Sequence, residues 1–537
     1  MLRNLSKLNN RQFFRNNRNY THYFTTPIFY VNADPHIGHL YSIVVTDALA
    51  RYSKLANPND EVVYSTGTDE HGMKVQQAAA GLNTTPKELC DRISGKFRDL
   101  AKAALSSHTD YIRTTDDQHV ETVHNLWNTL LANGYIYKGV HEGWYAVSDE
   151  AFYPESGIKE MFDNSTGETY KVSIETGKRV DWMSETNYKF KLAAFRLRLI
   201  EWLENNPEAI QPRTQYNAVL GALRNEEAAA SDLSVSRPRS RLEWGINVPG
   251  DPEHTIYVWV DALANYLSVA SRHNAWPADV HVVGKDIIRF HAVYWPALLL
   301  ASNNSLPRTI LSHAHWTMNG SKMSKSTGNV VDPFEVINKY SADVIRYYLL
   351  RVGGNLSNDA DFKPNELDLK YKSTLQAMLG NLLSRISGKK IVKRVESAQQ
   401  YGLSIDPTDS EKALYEKLKV LASKYSASME RFELGKALEV IEDTLHEANR
   451  YFTKLEPWSD KTPIEECAKG VLYARETLRI VGILLQPIMP EKSRELLDRL
   501  GLEQSVRNLV DAELNLSLTQ SLQIKPSRNV LFPPLIA

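Results

Sequence analysis

Two histidines flank an Ile-Gly pair in His36-Ile37-Gly38-His39. They fall between a strand-like run and a helical one, where free backbone N–H groups and the positive end of a helix favour an anion. Gly38 would let a nucleotide approach the backbone closely. The imidazoles can donate hydrogen bonds to phosphate oxygens, including charge that develops in a transition state. Far downstream, Lys322-Met323-Ser324-Lys325-Ser326 follows Asn319-Gly320-Ser321. Two lysines on a Gly/Ser-rich loop can fold over a triphosphate and neutralise a departing pyrophosphate. Alone, the His-x-Gly-His spacing is a modest signal. The second segment turns it into a specific one.

The flanking elements must bring these segments together. Tyr23–Tyr30 (YFTTPIFY) is rich in aromatic and β-branched residues and predicts a strand. Gly38–Leu55 has helical spacing, and Glu61–Ser65 predicts a second strand that ends in Gly67-Thr68-Asp69-Glu70-His71-Gly72. Strand, helix, strand is a βαβ unit, hence an α/β, Rossmann-like, doubly wound parallel sheet. The same grammar returns at Val280–Val283, Gly284-Lys285-Asp286, Ile287–Ser302 and Ile310–Leu311. The predicted order is 23–115 for the first half of the sheet domain, 116–237 for an inserted connective subdomain and 238–330 for the second half. A linker follows at 331–370, then an all-α helix bundle at 371–537. The stripes Leu414, Leu418, Leu421, Tyr425; Leu434, Leu438, Ile441, Leu445, Ala448, Phe452; and Ala474, Leu478, Val481, Leu485 predict bundle core.

Composition bounds the class. The 537 residues are 42% hydrophobic and 24% charged, which excludes disorder as the main state. A formal net charge of -1 advertises no nucleic-acid partner in bulk, so any such partner must bind through local patches. Two cysteines, Cys90 and Cys467, make neither a disulfide framework nor a four-thiolate zinc site, and fit an intracellular protein. No apolar run is long enough to span a membrane. Residues 1–22 differ from the rest. They contain no acidic residue, and Arg3, Lys7, Arg11, Arg15 and Arg18 fall on one helical face, which predicts a mitochondrial transit peptide.

The pair HIGH and KMSKS resembles class I aminoacyl-tRNA synthetases. PIFYVNADPHIGH, GTDEHG, DLSVSRPRSRLEWGI, YVWVDAL and VVGKDIIRFHAVYWP are similar, in detail, to methionyl-tRNA synthetases. The resemblance runs from about Tyr23 to the terminal VLFPP, and with the transit-like start it points to the mitochondrial type. It implies ATP-dependent activation of methionine to methionyl-adenylate, with Mg2+ accompanying ATP, then transfer to the 3′ end of tRNA(Met) in the mitochondrial matrix. His36, His39, Lys322 and Lys325 would be catalytic. His36, Gly38, His39, Gly284, Asp286 and Lys325 would hold ATP. Ile28, Tyr30, Asp69, Trp259, Leu263, Tyr266 and His291 would enclose methionine, Asp69 taking its ammonium group and the aromatics its polarizable sulfur. Asn381 and Arg385, one helical turn apart, and the flat ring of Trp458 would read the anticodon by hydrogen bonds and stacking. Trp458 as a helix-end plug is the plain alternative.

One departure matters. Many relatives carry a zinc knuckle with a Cys-x-x-Cys pair, but here Ala146 and Asp149 stand at those positions. Structural zinc needs about four N/S ligands, so we expect no zinc and a subdomain held by packing alone. The end at VLFPPLIA, without an appended basic or dimerisation domain, predicts a monomer. The competing readings are a class I synthetase for leucine, cysteine or valine, and an inactive synthetase-like RNA-binding protein.

Overall fold

The structure, a computed structural model, describes residues 20–147, 151–153, 155–163, 167–225, 231–323, 330–398, 406–517 and 529–535. Its centre is a seven-stranded parallel sheet. From one edge inward the order is Ile210–Gln211, Thr309–His313, Val280–Gly284, Thr21–Thr25 and Glu61–Asp69. Phe29–Tyr30 and Asp110–Arg113 both pair in parallel with Glu61–Asp69. The strands Val280–Gly284 and Thr309–His313 are buried throughout, as expected for a parallel sheet covered on both faces.

The strand predicted over Tyr23–Tyr30 is two strands, Thr21–Thr25 and Phe29–Tyr30. Pro27 has no N–H to give a ladder and ends the first. The chain enters the sheet two residues earlier than predicted, and Tyr20 is already tied in: its hydroxyl donates to Asp279. The Glu61 strand runs on to Asp69, so it delivers that carboxylate at its end. The predicted helix Ile287–Ser302 is instead a short 3-10 turn, a π-helical stretch Phe290–Tyr294 and an α-helix Trp295–Ala301.

The insert carries a six-stranded antiparallel sheet built on the long pairing of Ile136–Ala146 with Arg179–Phe190. Neighbouring segments of the same stretch serve the main domain: Ile210–Gln211 is its edge strand, and helix Asp117–Ala132 packs on helix Val258–His273. The insert is not held by packing alone, which corrects the sequence expectation. Arg237, almost fully buried, pairs with Glu185 at 3.1 Å and lies over the rings of Tyr257, Tyr145 and Phe152. Asn187 Nδ2 donates to Glu185 and to Ser234 Oγ. A buried ion pair thus ties the insert to the segment that returns to the main sheet. Ala146 is buried there, while Asp149 lies outside the described residues.

The C-terminal bundle is formed by helices including Lys412–Glu430, Leu434–Leu455 and Ile464–Leu484, and every residue of the three predicted stripes is buried. A continuous apolar core joins it to the sheet domain, and the buried Arg346 adds polar ties across the seam. Arg346 donates to Ile488 O and Pro487 O at 2.8 Å and to Ala104 O at 3.0 Å, and pairs with Asp47 at 2.6 Å. Cys90 and Cys467 are buried free thiols. Among the described residues, no helix is long and apolar enough to cross a membrane.

Candidate active site

His36 caps helix Ile37–Ala56 in extended backbone. Its Nδ1 accepts from Gly38 N at 3.0 Å, while His39 Nδ1 accepts from the His36 N at 3.1 Å. This is a capping box with two imidazoles in place of the usual Ser and Glu. Because each Nδ1 accepts a backbone N–H, the neutral rings carry their proton on Nε2, which makes Nε2–H the donor. The ring centroids are 3.8 Å apart, and His39 is wedged against Phe29 and Phe97. Gly38 is demanded by this arrangement, since a Cβ would lie 2.8 Å from the His36 ring.

These residues line a cavity of about 310 Å³ at the C-terminal edge of the sheet, where open parallel sheets bind ligands. Its other walls are Ile28, Tyr30, Gly284, Asp286, Ile287, His313, His315 and Trp316, with Met323 at the edge. Gly284 sits under the Asp286 carboxylate, 2.5 Å from where a Cβ would be. His315 Nε2 bonds Asp286 Oδ1 at 3.1 Å. Ser42 Oγ bonds His313 Nε2 at 2.8 Å, and burial pushes the His313 imidazole down to about 4. The strand Ser321–Lys322 leads to Met323. Lys325 lies outside the described residues.

Of the residues expected to enclose methionine, Ile28 and Tyr30 line this cavity; Asp69, Trp259, Leu263, Tyr266 and His291 do not, the last four forming an apolar end that Ile287 joins to it. His291 Nδ1 donates to Ile287 O at 2.9 Å, and its Nε2 accepts from the Tyr266 hydroxyl at 2.7 Å. Burial lowers His291 to about 4, so this pair is neutral and internally satisfied. His281 lies against Tyr266 with centroids 4.2 Å apart and is likewise driven well below its ordinary value by burial. Trp259 packs on Tyr294, and Leu263 is buried in the same cluster. Ile28 packs beside Tyr23 and Val269. Asp69 is fixed opposite Tyr30 by the pairing of their strands, with Val31 N donating to Asp69 O.

Sequence reasoning missed the groups that fix this end. Asp261 is fully buried two residues from Trp259, and its carboxylate bonds His71 Nδ1 at 2.7 Å and His119 Nε2 at 2.9 Å. Burial alone would raise its pKa, but the two imidazoles pull it below the usual value. Glu70, also buried, takes two bonds from Arg113. The one local signal was an aspartate inside the apolar run YVWVDAL. At the far end of the molecule, Arg385 lies 4.8 Å above the Trp458 ring and bonds Thr453, while Trp458 is 38% exposed and edges Phe452. Asn381 is exposed on the same short helix as Arg385.

Residues 22–387 match the family described as tRNA synthetases class I (M), and residues 404–532 match the anticodon binding domain of methionyl tRNA ligase. The chain belongs to the methionine–tRNA ligases of class I. It is 47% identical to a probable mitochondrial methionine–tRNA ligase of Schizosaccharomyces pombe over 91% of this chain and 92% of that one. With the Homo sapiens mitochondrial methionine–tRNA ligase it shares 43% identity over 91% and 85% of the two chains. Among solved structures, Mycobacterium tuberculosis methionyl-tRNA synthetase in complex with methionyl-adenylate superposes with a TM-score of 0.86 at 34% identity. That match covers 96% of this chain and all of the other. The Mycobacterium tuberculosis enzyme thus shares its overall fold. Among the described residues, no cluster of three or more His, Cys, Asp or Glu could hold a metal ion.

Proposed function

We propose that the chain activates methionine with ATP, releases pyrophosphate, and passes the methionyl group to the 3′-terminal adenosine of tRNA(Met) in the mitochondrial matrix. The observation that carries this reading is one cavity in which the bonded His36–His39 pair, Gly284 and Asp286 meet the exit of the Lys322 strand, its lining residue Ile287 being bonded through its carbonyl to His291 of the neutral Tyr266–His291 pair. His36 and His39 donate through Nε2–H to the ATP phosphates, at a helix end that already favours anions. Gly284 and Asp286 hold the adenosine. Lys325, aided by Lys322, neutralises charge on the transferring phosphate and the leaving pyrophosphate. Mg2+ enters with ATP as part of the substrate.

Methionine lies with its ammonium group on Asp69 and its side chain among Ile28, Tyr30, Trp259, Leu263, Tyr266 and His291. The Tyr266–His291 pair spends its hydrogen bonds internally, so it offers the thioether polarizable surface and no competing polar demand. That favours methionine over leucine, cysteine and valine. Asn381, Arg385 and Trp458 read the anticodon, the Arg385–Trp458 stack presenting a flat face to a splayed base. The enzyme works as a monomer and without zinc; the buried Arg237–Glu185 pair serves where a knuckle would otherwise cross-link the insert. Its targeting segment, in residues 1–22, is read from sequence; 1–19 lie outside the described residues. Charging of a tRNA(Met) transcript with labelled methionine by the purified chain is the expected result. No charging in the presence of ATP and Mg2+ would favour the inactive RNA-binding alternative.

A further inference from the structure

Asp359 and Asp361 lie in the stretch that follows helix Ala342–Gly353, downstream of every residue named above for the cavity. The strand Ala360–Asp361 pairs in parallel with Trp316–Met318, with Asp361 opposite Thr317. Asp361 Oδ1 accepts from Thr317 Oγ1 at 2.9 Å and from Gly320 N at 3.0 Å. Those donors stand on one arm and in the turn of the hairpin formed by Trp316–Met318 and Ser321–Lys322. Asn319 and Gly320 make that turn with positive φ of 53° and 72°. The hairpin is two residue pairs long, too little to hold a shape unaided. The Gly320 N–H in turn keeps the Asp361 carboxyl below the usual carboxylate range, so the anchor is ionised at neutral pH.

Asp359 does the corresponding work at His315 and the Lys285–Asp286 turn. Its Oδ1 accepts from Lys285 Nζ at 2.6 Å and from His315 N at 2.9 Å, and His315 Nε2 bonds Asp286. Backbone bonds from Ala314 N to Leu356 O and from Ala360 N to His315 O complete the seam. The stretch is itself pinned to the bundle. Gly435 N donates to Gly354 O at 3.2 Å, and a Cβ on Gly354 would lie 2.4 Å from Gly435 N.

We propose that Asp359 and Asp361 are positioning residues for adenylate formation: Asp361 fixes the hairpin that ends at Lys322, and Asp359 fixes the Lys285–Asp286 turn and His315. This rests on the adenylate-forming reading above. The physical reason is that charge stabilisation in a transition state depends on placement, and a shift of about 1 Å can cost about a hundredfold in rate. Neither aspartate touches substrate in this account.

The test compares two half-reactions in the full-length chain. Asp361→Ala and Asp361→Asn are assayed for methionine-dependent ATP–pyrophosphate exchange. Each is also loaded with methionyl-adenylate by long incubation, freed of ATP, and mixed with tRNA. Asp361→Ala is expected to lower the kcat of exchange about tenfold or more, with methionine KM and transfer from preformed adenylate unchanged. Asp361→Asn keeps an oxygen acceptor for both donors and is expected to restore most of the loss. Asp359→Ala is expected to slow exchange in the same selective way. Equal slowing of both half-reactions, no slowing, or an Asn variant as impaired as the Ala variant would overturn the proposal. Should Asp361→Ala not fold, Thr317→Val decides, by a smaller loss confined to exchange or by none. Absence of exchange in the unmodified chain would instead defeat the functional reading itself.

Discussion

The His36–His39 pair and the His281–His291 pair are built from the same side chain around the same sheet, but their surroundings differ. His36 and His39 stand at a helix N-terminus, part-buried, and each takes a backbone N–H on Nδ1. The neutral rings then carry their proton on Nε2, a donor whose chemistry suits phosphate. His281 and His291 are fully buried, and burial holds both neutral. His291 Nδ1 donates to Ile287 O and its Nε2 accepts from Tyr266, while His281 Nδ1 bonds Thr25 Oγ1 and its Nε2 accepts from Trp295. His36 and His39 each use Nδ1 on the backbone at a helix start, whereas His281 and His291 each use both ring nitrogens in the buried interior.

That contrast can be broken from either side. The largest effect is expected at the phosphate end. Lys325→Ala should lower the kcat of ATP–pyrophosphate exchange by about 100-fold or more, with little change in methionine KM. His36→Asn should do nearly as much while leaving the helix capped, since Asn is itself a good N-cap. A normal melting temperature with lost exchange separates the two roles of His36, and a melting loss without kinetic loss would merge them. At the apolar end, Tyr266→Phe strands the buried His291 Nε2 and should raise methionine KM about tenfold, kcat changing less. An effect on ATP KM instead would contradict the division.

Smaller effects sharpen it further. Trp458→Ala should reduce tRNA charging about tenfold and spare exchange; damage to both would make the ring a structural plug. The pH response follows from burial. His291 and His313 bind their proton near pH 4 when folded, and His281 also lies well below 6.5, whereas unfolded histidines bind near 6.5. Between those values the unfolded chain holds more protons, so stability is full above pH 6.5 and falls as pH drops toward 4. Asp343, raised by burial to about 6, opposes this over part of the range. Melting temperature should therefore fall by a few degrees between pH 7 and 5, while methionine KM, set by a histidine that stays neutral, should stay flat. A methionine KM that tracks a titration near 6.5 would show that His291 is not held neutral.

How much of this could be read from the sequence depended on distance along the chain. His36, Gly38 and His39 act within one turn, so their spacing already carried the phosphate chemistry. The helical stripes Leu414–Tyr425 and Leu434–Phe452 were legible because period 3.6 is a local property. Asp261 was not, because its partners His71 and His119 lie 190 and 142 residues away. Arg237 and Glu185 likewise meet only in the fold, and their pairing replaced the expectation that the insert holds by packing alone. The break at Pro27 and the π-helical turn at Phe290–Tyr294 moved element edges without moving the residues that face the cavity. The proposed anticodon face stood between these extremes. Asn381 and Arg385 share a helix, but the stack of Arg385 on Trp458 joins segments far apart in sequence.

The most direct test of the central claim is amino-acid-dependent ATP–pyrophosphate exchange by the purified chain, run in parallel with methionine, leucine, cysteine and valine. The account expects exchange with methionine at a rate at least about 100-fold above that with the other three. Exchange driven equally well by leucine, or by none of the four, would contradict it.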